Sequence, residues 1–130
     1  MARERERTGR RRAAETLGTY LRERREALRR GDAEYSLRQV AERVGVEPSY
    51  LSKVERDVGS PPSEEVLRRL ARELAVDADV VLALAGKVSR DLQDAIRKRP
   101  ALFAQLIREV KQLPDDAVLR LVREVREGEW

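Results

Sequence analysis

With 130 residues, 41% hydrophobic and only 4% aromatic, the chain has material for one modest core of Leu, Val and Ala. It contains no Cys and no His, which excludes disulfides, thiol or imidazole catalysis and Cys/His zinc sites. Charged residues make up 40%, the net charge is +4, and no apolar run approaches the roughly 20 residues that span a bilayer. A cytoplasmic protein with no membrane association and no signal peptide is therefore expected. Of the 28 basic residues, 24 are Arg. Two readings of that excess stand side by side: GC-rich codon usage, and a partner rich in phosphate or guanine, which the planar Arg fork binds through paired acceptors.

The charge is unevenly placed. Residues 1–12 carry six Arg and two Glu among almost no apolar side chains, and read as a flexible basic arm. Its arginines suit either a minor groove or non-specific counterion release, and the interleaved Glu4 and Glu6 weaken both. From Ala13 to Arg30 the spacing predicts a helix with Leu17, Leu21 and Leu28 on one side, stopped at Gly31. Asp32–Tyr35 is a short connection. Ser36 then caps a helix carrying Leu37, Val40, Ala41 and Val44, which ends at Gly45. Glu47-Pro48-Ser49 opens the next, with Leu51 and Val54 inward and Pro48 in a first-turn position where its missing N–H is harmless. Residues 57–62 are a loop by composition. Ser63 caps a helix through Ala75 that buries Val66, Leu67, Leu70 and Leu74, and Asp77 caps another to about Ala85, stopped by Gly86.

Lys87-Val88 is the expected boundary between residues 13–86, an N-terminal domain, and 87–130, a C-terminal helical region. Beyond it, Ser89 caps a short helix from Asp91 to about Lys98. Pro100 opens a longer one with Leu102, Phe103, Leu106, Ile107 and Val110, and Pro114 with Asp115 and Asp116 opens the last, striped by Val118, Leu121, Val122 and Val125. No segment alternates with period two long enough for a strand. The expected fold is all-α, five helices followed by a helical extension.

The stretch from Leu37 to Arg56 concentrates the functional signal. Counted as twenty positions, the fifth is small (Ala41), where one helix must cross another, and the ninth is Gly45, where the turn requires positive φ. Positions four, eight, ten, fifteen and eighteen are Val40, Val44, Val46, Leu51 and Val54, all apolar and all directed to one core. Two short helices meeting through a glycine turn form a helix-turn-helix.

The same residues, Ser36-Leu-Arg-Gln-Val-Ala-Glu-Arg-Val-Gly-Val-Glu-Pro-Ser-Tyr-Leu-Ser-Lys-Val-Glu-Arg56, resemble the helix-turn-helix of the XRE group, the Cro and lambda-repressor-like regulators. The resemblance covers about Leu17 to Ala85 and is most specific in Ser49–Arg56. It implies a five-helix DNA-binding domain on double-stranded DNA, with the second motif helix in the major groove. The exposed positions of that helix are Pro48, Ser49, Ser52 and Lys53. Lys53 suits guanine or phosphate, the two serines suit either with weak base preference, and Pro48 offers only contact to a thymine methyl. Tyr50 has two open readings, packing or phosphate contact through its hydroxyl. Arg38, Gln39 and Arg56 are phosphate candidates, against the plain reading of a solvated face. Family members often carry Gln where Leu37 stands and a hydrogen-bonding residue near Pro48, so two customary contacts are absent. The resemblance further pairs Glu55 with an Arg of the first helix, which by position is Arg25.

The apolar stripes of residues 89–127 require cover. Leu102, Phe103, Leu106, Ile107 and Val110 facing Val118, Leu121, Val122 and Val125 make a hairpin too small to stand alone. Either it extends the N-terminal core or it buries the stripe in a second copy, as a homodimer that reads two half-sites. Arg97-Lys98-Arg99 and Trp130 have no assigned partner: the basic run suits DNA backbone, an acidic partner or solvent, and Trp130 suits an anchor for the last helix. The leading expectation is a sequence-specific transcriptional regulator, a repressor at a palindromic operator. The alternative is an antitoxin or interaction module whose C-terminal helices hold a protein partner, a toxin or antirepressor. An enzyme is not expected, because the close acid pairs Glu64-Glu65, Asp77/Asp79 and Asp115-Asp116 all sit at helix starts, where the dipole accounts for them. No cofactor and no metal are expected.

Overall fold

A computed structural model describes residues 15–129. The basic arm of residues 1–12, the expected helix start at Ala13 and Trp130 lie outside the described residues. The described residues are all-α, with no strand among them. They fall into two compact units that divide between Ser89 and Arg90.

The described residues of the first unit hold five helices: α1 (Leu17–Arg29), α2 (Leu37–Val44), α3 (Pro48–Glu55), α4 (Glu64–Glu73) and α5 (Ala78–Leu84), with a 3-10 turn at Ala33–Tyr35. Side-chain caps set most of these starts. Ser36 accepts from the Gln39 N–H at 3.2 Å, Ser63 from Val66 at 3.4 Å and Asp77 from Asp79 at 2.8 Å. The first helix begins later than its apolar spacing suggests. Glu15 is not helical, and Thr16 is the N-cap, its hydroxyl accepting from the Thr19 N–H at 3.1 Å.

At the other end of α2, Gly45 adopts φ +87°, and the N–H groups of both Gly45 and Val46 return to the Ala41 carbonyl at 2.9 Å. That closure turns the chain within three residues into α3. The core beneath is aliphatic throughout. Leu21, Val40, Ala41, Leu67 and Val81 are fully buried, with Leu51, Leu70, Leu74 and Leu82 scarcely less so. The helices pack α1 on α3, α2 on α3 and α4, and α4 on α5. Arginine side chains bind these elements to one another through backbone carbonyls. Arg24 Nε donates to the Leu74 carbonyl at the end of α4 (2.8 Å), Arg69 Nη1 to Val44 at the end of α2 (3.3 Å), and Arg43 Nη1 to Glu34 (2.8 Å). Each guanidinium satisfies an acceptor that a helix end or turn leaves open.

The second unit holds α6 (Arg90–Lys98), α7 (Pro100–Val110) and α8 (Asp115–Glu127). None of the described residues of these helices is buried. The two apolar stripes are only partly covered within this unit. Phe103, Val110, Val118 and Leu121 are half-buried, while Leu102, Leu106, Ile107, Val122 and Val125 are exposed. Leu119, absent from the sequence-derived stripe, is 58% exposed. Helices of 11 and 13 residues have too little surface to enclose an apolar seam between them. No described helix is long and apolar enough to cross a membrane.

Gly18 marks where α1 meets α3. A Cβ there would lie 2.6 Å from the carbonyl oxygens of both Val54 and Glu55, whereas one at Gly31 would meet nothing within 4 Å. Gly18→Ala is therefore expected to cost about 2 kcal/mol or more, lowering the melting temperature by on the order of 10 °C. Gly31→Ala should stay within about 0.5 kcal/mol of the parent. Thermal unfolding of both variants measures the contrast.

Candidate nucleic-acid interface

Helix α3 is sorted by burial into an inner and an outer face. Leu51, Val54 and Glu55 are buried; Ser49, Tyr50, Lys53 and Arg56 are exposed, and Pro48 and Ser52 are half-buried. Tyr50, 37% exposed, shows part of its ring to solvent. On α2 the inward residues are Val40, Ala41 and Val44, which leaves Arg38 and Gln39 exposed on its first turn. The candidate contacts thus lie on the outward surfaces of two helices joined by the Gly45 turn. Their polar equipment is three hydroxyls, an amide, an ammonium and two guanidinium groups. Arg56 turns partly back, its Nε donating to the Ser52 carbonyl at 3.3 Å. Glu47 gives α3 no side-chain cap, and Pro48 occupies the first turn. Among the described residues, no group of three or more Asp and Glu is arranged to hold a metal ion.

What holds α3 in place is buried. Arg25 on α1 and Glu55 on α3 are 5% and 7% exposed. Arg25 Nε donates to Glu55 Oε2 at 2.7 Å and Nη2 to Oε1 at 2.9 Å, a two-pronged pair. Two further donors are also used: Nη1 reaches the Tyr35 carbonyl and Nη2 also reaches Glu26 Oε1, each at 3.2 Å. The hydrogen bond to Glu55 raises the affinity of the Arg25 guanidinium for its proton above the ordinary value, against the opposing effect of burial. No buried side-chain nitrogen or oxygen among the described residues lacks a partner.

A second fastening has no counterpart in the sequence reading, where residues 57–62 are simply a loop. Asp57 Oδ1 accepts the Gly18 N–H at 2.9 Å, and Oδ2 accepts the Thr16 hydroxyl at 2.6 Å. These bonds cross 39 and 41 residues of chain, so no local spacing signals them. The available clue was the pair Thr16-x-Gly18, a capping residue followed by a residue without a side chain.

Arg43, outside the candidate set, is engaged elsewhere. Its Nε donates to Glu73 Oε2 at 2.7 Å, and its guanidinium lies 5.2 Å from the centre of the Tyr35 ring. The hydrogen bond to Glu73 raises its affinity for its proton, and burial opposes this.

Comparison with known proteins finds the helix-turn-helix domain family matching residues 16–84. Two proteins of Mycobacterium tuberculosis, from strains CDC 1551 / Oshkosh and ATCC 25618 / H37Rv, are each 44% identical to this chain over 69 residues. Both are named uncharacterised HTH-type transcriptional regulators, and the shared stretch is 53% of this chain and 45% of theirs. The chain thus matches less than half the length of these relatives. A solved SinR protein/SinI protein complex aligns over 88% of this chain and 100% of its own, with TM-score 0.46 and 20% identity.

The buried pair makes a prediction that separates stability from recognition. Glu55→Ala leaves the Arg25 charge buried and is expected to cost about 3–5 kcal/mol, so folding fails before any change in DNA sequence preference appears. Arg25→Met combined with Glu55→Leu removes both charges and should recover most of that loss. Chemical denaturation of the single and double variants provides the test.

Proposed function

The chain belongs to the helix-turn-helix domain family, and from that premise we propose that it is a sequence-specific DNA-binding regulator of transcription, a repressor that meets a palindromic operator as a homodimer. The supporting observation is the face that α3 turns outward. Ser49, Ser52 and Lys53 stand away from a core that holds the helix through Leu51, Val54 and Glu55. A helix presented in this way matches the width of the major groove, with its first turn toward the base edges.

In this reading Lys53 and Ser49 contact bases, and Ser52 lies at the margin. Arg38, Gln39 and Arg56 contact phosphate, joined by the Tyr50 hydroxyl. Pro48 gives at most an apolar contact. The direct reading is accordingly sparse, and one copy offers few charge-bearing phosphate contacts. Two half-sites about 34 Å apart, read by two copies, supply the missing affinity. The exposed apolar residues Leu102, Leu106, Ile107 and Val122 on α7 and α8, with Phe103, Val110, Val118, Leu121 and Val125, support pairing through the second unit. A cytoplasmic location fits this role.

Two measurements test the reading. Binding to genomic and random duplexes across a salt series should show a gap between preferred and random sequence. Ser49→Ala and Lys53→Ala are each expected to narrow that gap by roughly fivefold or more, while Arg38→Ala weakens all sequences about equally. Equal affinity for every duplex would refute the proposal. For assembly, sedimentation should show a dimer for the full chain and a monomer for the Leu106→Glu, Val122→Glu double variant. A monomeric parent, or a complex formed only with a different protein such as a toxin or antirepressor, would replace the homodimer with the interaction-module reading.

A further inference from the structure

Asp57, two residues beyond the end of α3, has φ +58°, a left-handed conformation that is costly for a residue bearing a Cβ. From there its carboxylate reaches the start of α1, accepting the Gly18 N–H and the Thr16 hydroxyl. An anion at a helix N-terminus is favoured by the dipole and by the open N–H groups of the first turn. The contact has no slack, because a Cβ on Gly18 would fall within 2.8 Å of the Asp57 carboxyl carbon as well as on the Val54 and Glu55 carbonyls.

Seven residues further along α1, Arg25 holds Glu55. Two attachment points on one face of α1, about 10 Å apart by helical rise, do what one cannot. A single point leaves the carboxyl end of α3 able to pivot, whereas two fix its direction. We infer that Asp57 is a positioning residue for base reading: it fixes the direction in which α3 presents Ser49 and Lys53. The inference rests on the DNA-reading role proposed above.

Substituting glycine separates positioning from stability. Glycine accepts a left-handed φ without steric cost, so Asp57→Gly offsets the lost bonds by relieving the backbone. The expected result is a melting temperature within a few degrees of the parent, with random-duplex affinity and its salt dependence unchanged. The ratio of preferred to random affinity falls about tenfold, the equivalent of losing one base pair of discrimination. Asp57→Asn keeps an acceptor for the Gly18 N–H and tolerates the same conformation, and so retains most of that ratio.

A double-mutant cycle supplies a readout that a purely structural role would leave unmoved. In a Lys53→Ala background, Asp57→Gly should have a smaller further effect on the ratio, because one of the two side chains it aims is gone. Should the glycine variant unfold, Thr16→Val takes its place, removing the Oδ2 contact together with the Thr16 cap of α1, and its ratio is read at a temperature where the variant is fully folded. A lowered ratio at constant random affinity supports the inference, and an unchanged ratio overturns it. A glycine variant that discriminates like the parent, or one whose effect is undiminished without Lys53, also overturns it while leaving the DNA reading intact. A parent chain that does not discriminate at all removes both.

Discussion

The buried pair between Arg25 and Glu55 is the constraint on which the first unit depends. Desolvating a carboxylate and a guanidinium is expensive, and a buried ion pair rarely adds net stability over a well-packed apolar substitute. Its value here is geometric. A two-pronged pair at 2.7 and 2.9 Å narrows the relative orientations open to α1 and α3, and the third contact, to the Tyr35 carbonyl, adds the chain entering α2 to the same node. Apolar contacts alone are non-directional, and a core made only of Leu, Val and Ala offers few shapes that would forbid a small rotation of a short helix. The charged node supplies the direction that the core lacks.

Much of this architecture was legible in the sequence because it is local. Ser36, Ser63 and Asp77 cap helices within three residues of themselves, and Gly45 announces its own left-handed turn. The inward positions of α2 and α3 follow from helical periodicity, and the outward positions follow by subtraction. The Arg25–Glu55 contact was reachable only through family resemblance, since nothing in the spacing selects Arg25 from its many neighbouring arginines. The Asp57 fastening was not reachable at all, because it joins residues 39 and 41 apart through a carboxylate that composition assigns to a loop. Pro62, read as part of that loop, is in fact buried. The second unit shows the converse limit. An apolar stripe is visible in sequence, but what covers it is a property of whatever surface it meets.

The arginine excess also resolves differently from its first appearance. Counted along the chain, 24 Arg suggest a protein covered in phosphate ligands. In the fold, Arg24, Arg25, Arg43 and Arg69 are bound to carbonyls and carboxylates of the domain itself. Others are paired along their own helices, as Arg68 is with Glu64 and Arg120 with Asp116. A guanidinium is well suited to such work because it carries five donors in a rigid plane, enough to close a helix end and hold an acid together. Net charge is therefore a poor measure of affinity for nucleic acid in this chain.

That accounting bears on the proposed assembly. With Arg38, Lys53 and Arg56 as its cationic residues, the candidate face of one copy would by itself release about three counterions, a weak electrostatic hold at physiological salt. Doubling the face doubles the exponent rather than the affinity, so pairing changes occupancy far more than adding one further contact to a single copy. On the proposed reading, the exposed apolar residues of α7 and α8 are the counterpart of that weak hold. In that proposal the first unit would fix where each copy's α3 points, and association through the second would determine whether two of them act together.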